Sequence, residues 1–154
     1  MIKVSFKEAK EVQKFNDKVT LVTLYGKTKY CGKINFLPME IVKWVHTHPI
    51  VDNISFGLGS IHIKATGKTM RSDADKDNPI LAERIAESRA KIKVYKFMYT
   101  LCNKLYKYYC KVTFGKIVFT SAYYVSGSLY RELQRYNSLL LKESLHLEDL
   151  IEES

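Results

Sequence analysis

Pro79 to Val112 reads PILAERIAESRAKIKVYKFMYTLCNKLYKYYCKV, and neither glycine nor proline occurs from Ile80 to Phe114. Proline suits the first position of a helix: its fixed φ is already helical, and its missing N–H is one that a helix start leaves unbonded. The spacing predicts a helix near 79–112, about 50 Å long at 1.5 Å per residue. That is long for a globular protein, so a break between Thr100 and Asn103 stays open.

At 100° per residue this segment has three faces. Leu81, Ile85, Ile92, Tyr95, Tyr99, Cys102, Tyr106 and Tyr109 share one stripe, and Val94, Phe97, Met98, Leu101, Leu105, Tyr108 and Val112 a second. Arg89, Lys93, Lys96, Lys104, Lys107 and Lys111 line the remaining side. A helix apolar on two faces needs two partners. The aliphatic stripe suits a sheet, and the tyrosine stripe a last helix.

On the N-terminal side, Ser5 and Glu8 stand at capping-box spacing, which predicts a first helix over 6–15. Residues 19–25 and 29–36 are rich in β-branched and aromatic types around Gly26-Lys27-Thr28, which predicts a hairpin. The stretch from Pro38 to His48 fits a short helix or a strand. A loop is expected at 56–59, a strand from Ile61 running past Gly67, and an acidic turn over 72–78, with Asp77 or Asn78 capping the long helix.

Beyond the long helix, 112–124 reads as strand or irregular structure. Ser126-Gly127-Ser128 then breaks the chain, and Ser128 can cap a final helix. Its apolar residues Leu129, Leu133, Tyr136, Leu140, Leu147 and Leu150 recur at alternating three- and four-residue steps. That stripe docks on the domain or on a second copy, which makes Leu129, Leu133, Leu140 and Leu147 candidates for a homodimer seam.

With 154 residues, 46% of them hydrophobic, 3 Pro and 7 Gly, the composition fits one folded domain and excludes collagen-like or disordered chains. No apolar run is long enough to span a bilayer, so no membrane partner is expected. Cys31, Cys102 and Cys110 form no even framework and no C-x-x-C pair, which fits a reducing, cytoplasmic setting. The expected architecture is α+β: a small antiparallel sheet of three to five strands packed on a long central helix and a C-terminal helix. Residues 1–126 form the α+β domain and 127–154 the docking helix.

The net charge of +9 is unevenly spread. Residues 127–154 hold Arg131, Arg135 and Lys142 against Glu132, Glu143, Glu148, Asp149, Glu152 and Glu153, so the whole cationic excess lies ahead of them. Such a surface attracts polyanions. Lysines beside tyrosines on one helix also fit a surface that tracks phosphates while bases stack on rings. Arg89, Lys93, Lys96, Lys104, Lys107 and Lys111 are therefore the candidate nucleic-acid contacts.

No phosphate-binding glycine loop, nucleophile elbow or spaced Cys/His set is present, so no cofactor and no enzyme activity is expected. Asp73, Asp75 and Asp77 open like a calcium loop, but Pro79 and Arg84 stand at its seventh and twelfth positions and no glycine at its sixth, so that reading fails. The stretch from Glu40 to Pro49, EIVKWVHTHP, resembles the metal-binding segment of the JAMM/MPN+ zinc isopeptidases, in which an H-x-H-P strand end supplies two imidazoles. The resemblance implies His46 and His48 as zinc ligands of a hydrolase. Ser55 stands where that family has a serine, but Leu58 replaces its third ligand, an aspartate, so this remains a distant alternative. His62 and His146 are not placed to complete a site.

The run ATGKTMRSDAD at 65–75, followed by IAESRAKIK at 85–93, resembles a pattern in small phage and prophage proteins of unassigned function with a double-stranded-RNA-binding-domain-like fold. The resemblance implies a phage or mobile-element accessory protein with a small antiparallel sheet backed by helices, and it brings no catalytic residue. True members of that fold class aim lysines at phosphates from the start of their second helix. Asp73, Asp75 and Asp77 stand there instead, so nucleic acid is expected along the later lysine face. A second expectation by analogy is a module that captures a host protein, such as an anti-CRISPR inhibitor of a defence enzyme.

Overall fold

The computed structural model describes residues 2–6, 10–15, 18–30, 38–55, 60–71, 78–114 and 120–153. Five strands and three helices follow one another: β1 (Ile2–Phe6), β2 (Glu11–Phe15), β3 (Val19–Tyr30), α1 (Met39–Thr47), β4 (Val51–Ser55), β5 (Ser60–Met70), α2 (Pro79–Phe114) and α3 (Thr120–Glu153). The architecture is α+β, with a small antiparallel sheet, a long central helix and a C-terminal helix.

The sheet is built around β3, which pairs with β5 along one edge from Val19↔Met70 to Lys29↔Ser60. Along its other edge lie both β1, from Ile2↔Tyr30 to Phe6↔Gly26, and β2, from Glu11↔Thr23 to Phe15↔Val19. β1 and β2 thus form one interrupted edge strand where a helix is expected over 6–15. Val4 and Phe6 turn toward the helices, and the Ser5 hydroxyl donates across the strands to the Lys27 carbonyl at 3.3 Å instead of capping a helix. Glu8 lies outside the described residues.

The expected hairpin at Gly26 is also replaced. Gly26 sits in mid-strand, paired with Phe6 on one side and Ile63 on the other. Pairing from both sides holds the chain straight where a Gly-Lys-Thr turn reads naturally from sequence. Residues 31–36 of the expected second arm, with Cys31, lie outside the described residues, as do the loop at 56–59 and the acidic turn at 72–77.

α2 is continuous through Thr100 to Asn103 and reaches Phe114. Asn78 caps it, its Oδ1 accepting from the Leu81 amide at 3.1 Å. Its first half seats on β5 through small residues. Ala86 and Ala90 are fully buried with Val22 and Leu24, and a Cβ on Gly67 would stand 1.8 Å from the Ala86 carbonyl oxygen. The Thr69 hydroxyl donates to the Ala82 carbonyl at 2.9 Å. Farther along, Val94, Phe97, Met98, Leu101 and Leu105 join Ile61, Ile63 and Ala65 of β5 and Ile41 and Val45 of α1 in the main core.

The tyrosine-bearing stripe packs on α3, which runs antiparallel to α2. Leu81 and Ile85 meet Leu150 at one end, Ser88 donates to Glu143 at 2.8 Å, and the rings of Tyr106 and Tyr130 lie 5.7 Å apart at the other. Tyr136 is fully buried between them, and its hydroxyl accepts from the Val4 amide of β1 at 3.2 Å. The 112–124 stretch expected to be strand or irregular ends α2 and starts α3, with 115–119 outside the described residues. α3 begins at Thr120, ahead of the expected boundary at 127, and passes through Gly127 without a break. Packing along α2 overrides the local preference of these β-branched and glycine positions.

The stripe offered as a homodimer seam is occupied within the chain. Leu129 is fully buried, and Leu133 and Leu147 pack into the same clusters as α2 residues. Leu140 is half-buried. Leu141 and Leu145 face away from this contact and are exposed. Among the described residues, no helix is long and apolar enough to cross a membrane.

Candidate nucleic-acid interface

The six candidate cations of α2 lie within an arc of about 80° by helical geometry, on one continuous ridge. Its neighbours divide it into two parts. β4 pairs with β5 only as far as Val51↔Ile63, with the Lys64 amide donating to the Ile50 carbonyl at 2.8 Å. Past that point, among the described residues, the outer edge of β5 has no strand beside it. Lys93 Nζ donates to the Thr66 carbonyl at 2.6 Å and Arg89 Nη1 to the Lys68 carbonyl at 2.6 Å. These two cations close an open sheet edge, as charged side chains commonly do.

Lys96, Lys104, Lys107 and Lys111 are exposed. Among the described residues none of the four has a carboxylate partner. The carboxylates of the first half of α2 are engaged elsewhere: Lys10 Nζ lies 3.1 Å from Glu83 and 2.7 Å from Glu87. The acidic end of α3 lies at the opposite end of the helix pair, because Leu150 packs beside Ile85. From Ile85 to Lys107 is about 33 Å of helix, several Debye lengths at physiological salt.

The expected stacking rings of α2, Tyr108 included, pack against the core. Tyr95, Tyr99, Tyr106 and Tyr109 are partly buried against the core, and burial raises the Tyr95 and Tyr109 hydroxyls above their ordinary pKa of 10.0. The aromatic side chain that does meet a ridge amine is Trp44, from α1. Its indole is half-buried, stacks on Phe97 with centroids 5.3 Å apart and planes at 9°, and has Lys104 Nζ over it at 5.2 Å. Sequence reasoning missed Trp44 because α1 reaches α2 only through tertiary packing. The one available signal was a lone tryptophan beside Lys43 in a stretch that fits a helix.

Nothing matches this chain among protein-family models, curated proteins or solved structures.

His46 and His48 do not gather as ligands. His46 is exposed, whereas the His48 ring packs edge-on to Phe97 at 4.9 Å and to Trp44 at 5.4 Å, and its Nδ1 accepts from the Ile50 amide at 3.4 Å. Among the described residues no three His, Cys, Asp or Glu side chains are placed to hold a metal ion. Leu58 lies outside the described residues. Cys102 is buried between α2 and α3 and its thiol is pushed up to about 12, chiefly by that burial. A thiol so rarely ionised is a poor nucleophile.

Burial also lowers the His48 imidazole below its ordinary 6.5. The unfolded chain therefore takes up the proton first as pH falls. Stability from this group is full above about 6.5 and declines as pH drops below it. Thermal unfolding at pH 7.5 and 5.5 is expected to show a lower melting temperature at pH 5.5, and His48→Phe to remove part of that loss. Equal pH dependence in the two proteins would count against the assignment.

Proposed function

We propose that this chain is a non-enzymatic accessory protein that binds nucleic acid along the lysine ridge of α2. The observation that carries the reading is the segregation of charge along the α2–α3 pair. Among the described residues four exposed amines, on Lys96, Lys104, Lys107 and Lys111, follow one side of the helix with no carboxylate partner, and the acidic last turns of α3 lie at the far end. Aligned lysines track phosphates, and the release of counterions drives association. Arg89 and Lys93, with their amines on β5 carbonyls, serve chiefly to seat the helix. The resemblance to phage and prophage proteins gives the proposed setting, a host cytoplasm crowded with nucleic acid.

Anisotropy of a labelled oligonucleotide, titrated at several salt concentrations, tests this. With four to five phosphates contacted, the log-log slope against salt is expected near −3 to −5. The triple variant Lys96→Gln, Lys107→Gln, Lys111→Gln should make that slope shallower by roughly 2 to 3. A variant that binds with unchanged affinity and slope would remove the ridge from consideration.

A further inference from the structure

We infer that the ridge takes a single strand rather than a duplex, and that one unpaired base of that strand stacks on Trp44. The inference rests on the ridge reading above and adds the substrate class. Trp44 is held from behind. Phe97, itself 1% exposed, lies parallel to the indole with ring centres 5.3 Å apart. His48 meets both rings edge-on. The ammonium of Lys104, an exposed side chain, also stands over the indole, 5.2 Å from its centre.

A partly exposed indole braced by a buried phenyl ring and attended by an exposed amine is a preformed stacking surface. Inserting a base exchanges one cation–π contact for a ring–ring contact, and it frees the Lys104 amine for the phosphate beside that base. Lys96 precedes Lys104 on the ridge, and Lys107 and Lys111 follow it, so a backbone running along the helix meets cations on both sides of the inserted base. The ridge from Lys96 to Lys111 spans about 22 Å. A duplex keeps its base faces inside the stack and can offer this site only phosphates. The tyrosines of α2 are poorer platforms, because Tyr95, Tyr99, Tyr106, Tyr108 and Tyr109 all pack against the core.

The chain holds a single tryptophan, so its emission reports on this site alone. Titration with twelve-nucleotide oligothymidylate and oligouridylate, and with a twelve-base-pair duplex, gives the test. The expected result is strong quenching by one or both single strands, the stronger identifying DNA or RNA, and little change on duplex binding. Trp44→Leu should weaken single-strand binding about ten-fold and leave duplex binding unchanged. Trp44→Phe, which keeps a ring on Phe97, should recover most of the loss and guards against a folding defect. Single-strand binding that is salt-sensitive and lysine-dependent, yet leaves the emission unchanged and is indifferent to Trp44→Leu, would overturn the stacking site while sparing the ridge. Absence of binding by any of the three probes would overturn both.

Discussion

Gly67→Ala is expected to lower the melting temperature by roughly 10 °C, the largest effect of an added carbon at any of the described glycines. The new Cβ would stand 1.8 Å from the Ala86 carbonyl oxygen and 2.7 Å from the Ala90 amide nitrogen. Both obstacles are helix backbone, so no side-chain rotation relieves them and α2 must lift from β5. Lifting it strains the Thr69 bond to Ala82 and the bonds from Arg89 and Lys93 to the β5 carbonyls. Overpacking a tight core costs about 1–3 kcal/mol, and a backbone obstacle belongs at the upper end. For a chain of this size each kcal/mol corresponds to about 2–4 °C. Gly127→Ala is the matched control. Gly127 is an exposed helical residue with nothing within 4 Å of the added carbon, so that change should stabilise by about 0.5–1 kcal/mol. Thermal denaturation followed by circular dichroism checks both, and equal melting temperatures would refute the close approach of helix and strand.

This contact also explains why part of the fold was legible in the sequence. Ala65 and Gly67 on the strand and Ala86, Arg89, Ala90 and Lys93 on the helix form the junction between β5 and α2. Small residues let the helix down onto the sheet, and the two cations close the sheet edge beside it. A junction that demands particular residues at fixed spacing leaves a readable trace. So does α2 itself, whose two apolar stripes meet the sheet and α3 as their spacing requires. The N-terminal strands left no such trace. Residues 11–15 are exposed along their whole length, so no inside–outside alternation marks β2 as a strand, and the capping-box spacing at Ser5 and Glu8 gave a helix signal that pairing with β3 overrides. The break expected at Gly127 fails for a similar reason: helix propensity is a local term, and a neighbouring helix outweighs it.

The candidate site was legible only as a line of charge. Helical geometry puts six cations on one side, but which of them are drawn onto β5 carbonyls depends on where β4 stops. Because β4 leaves the later part of β5 uncovered, Arg89 and Lys93 turn to carbonyls, and the proposed site moves toward Lys96 to Lys111. The stacking partner moves further still. Eleven tyrosines draw attention in the sequence, yet those on α2 pack against the core, and the ring under a ridge amine comes from a helix more than thirty residues earlier.

Arg135→Met should destabilise the fold by about 3 kcal/mol, although half of the Arg135 side chain is exposed, because it strands Glu132. The Glu132 side chain is 8% exposed against 46% for Arg135. Its Oε2 accepts from Arg135 Nη2 at 2.7 Å and from Nε at 3.0 Å. The same guanidinium lies 4.6 Å from the centre of the Tyr136 ring, the largest fully buried side chain among the described residues. The environment on the other side is no substitute: Glu132 is close enough to Cys102 to help raise its thiol, after burial itself. Without Arg135 the carboxylate keeps its desolvation and loses its counter-charge. The double variant Glu132→Leu, Arg135→Met removes the charge as well, and it should recover most of the lost stability, since an apolar pair of similar volume is often as stable as a buried ion pair. Urea denaturation of the wild type, the Arg135 variant and the double variant distinguishes the two cases. If the double variant is no more stable than Arg135→Met alone, the arginine acts through its packing on Tyr136 and not by neutralising Glu132.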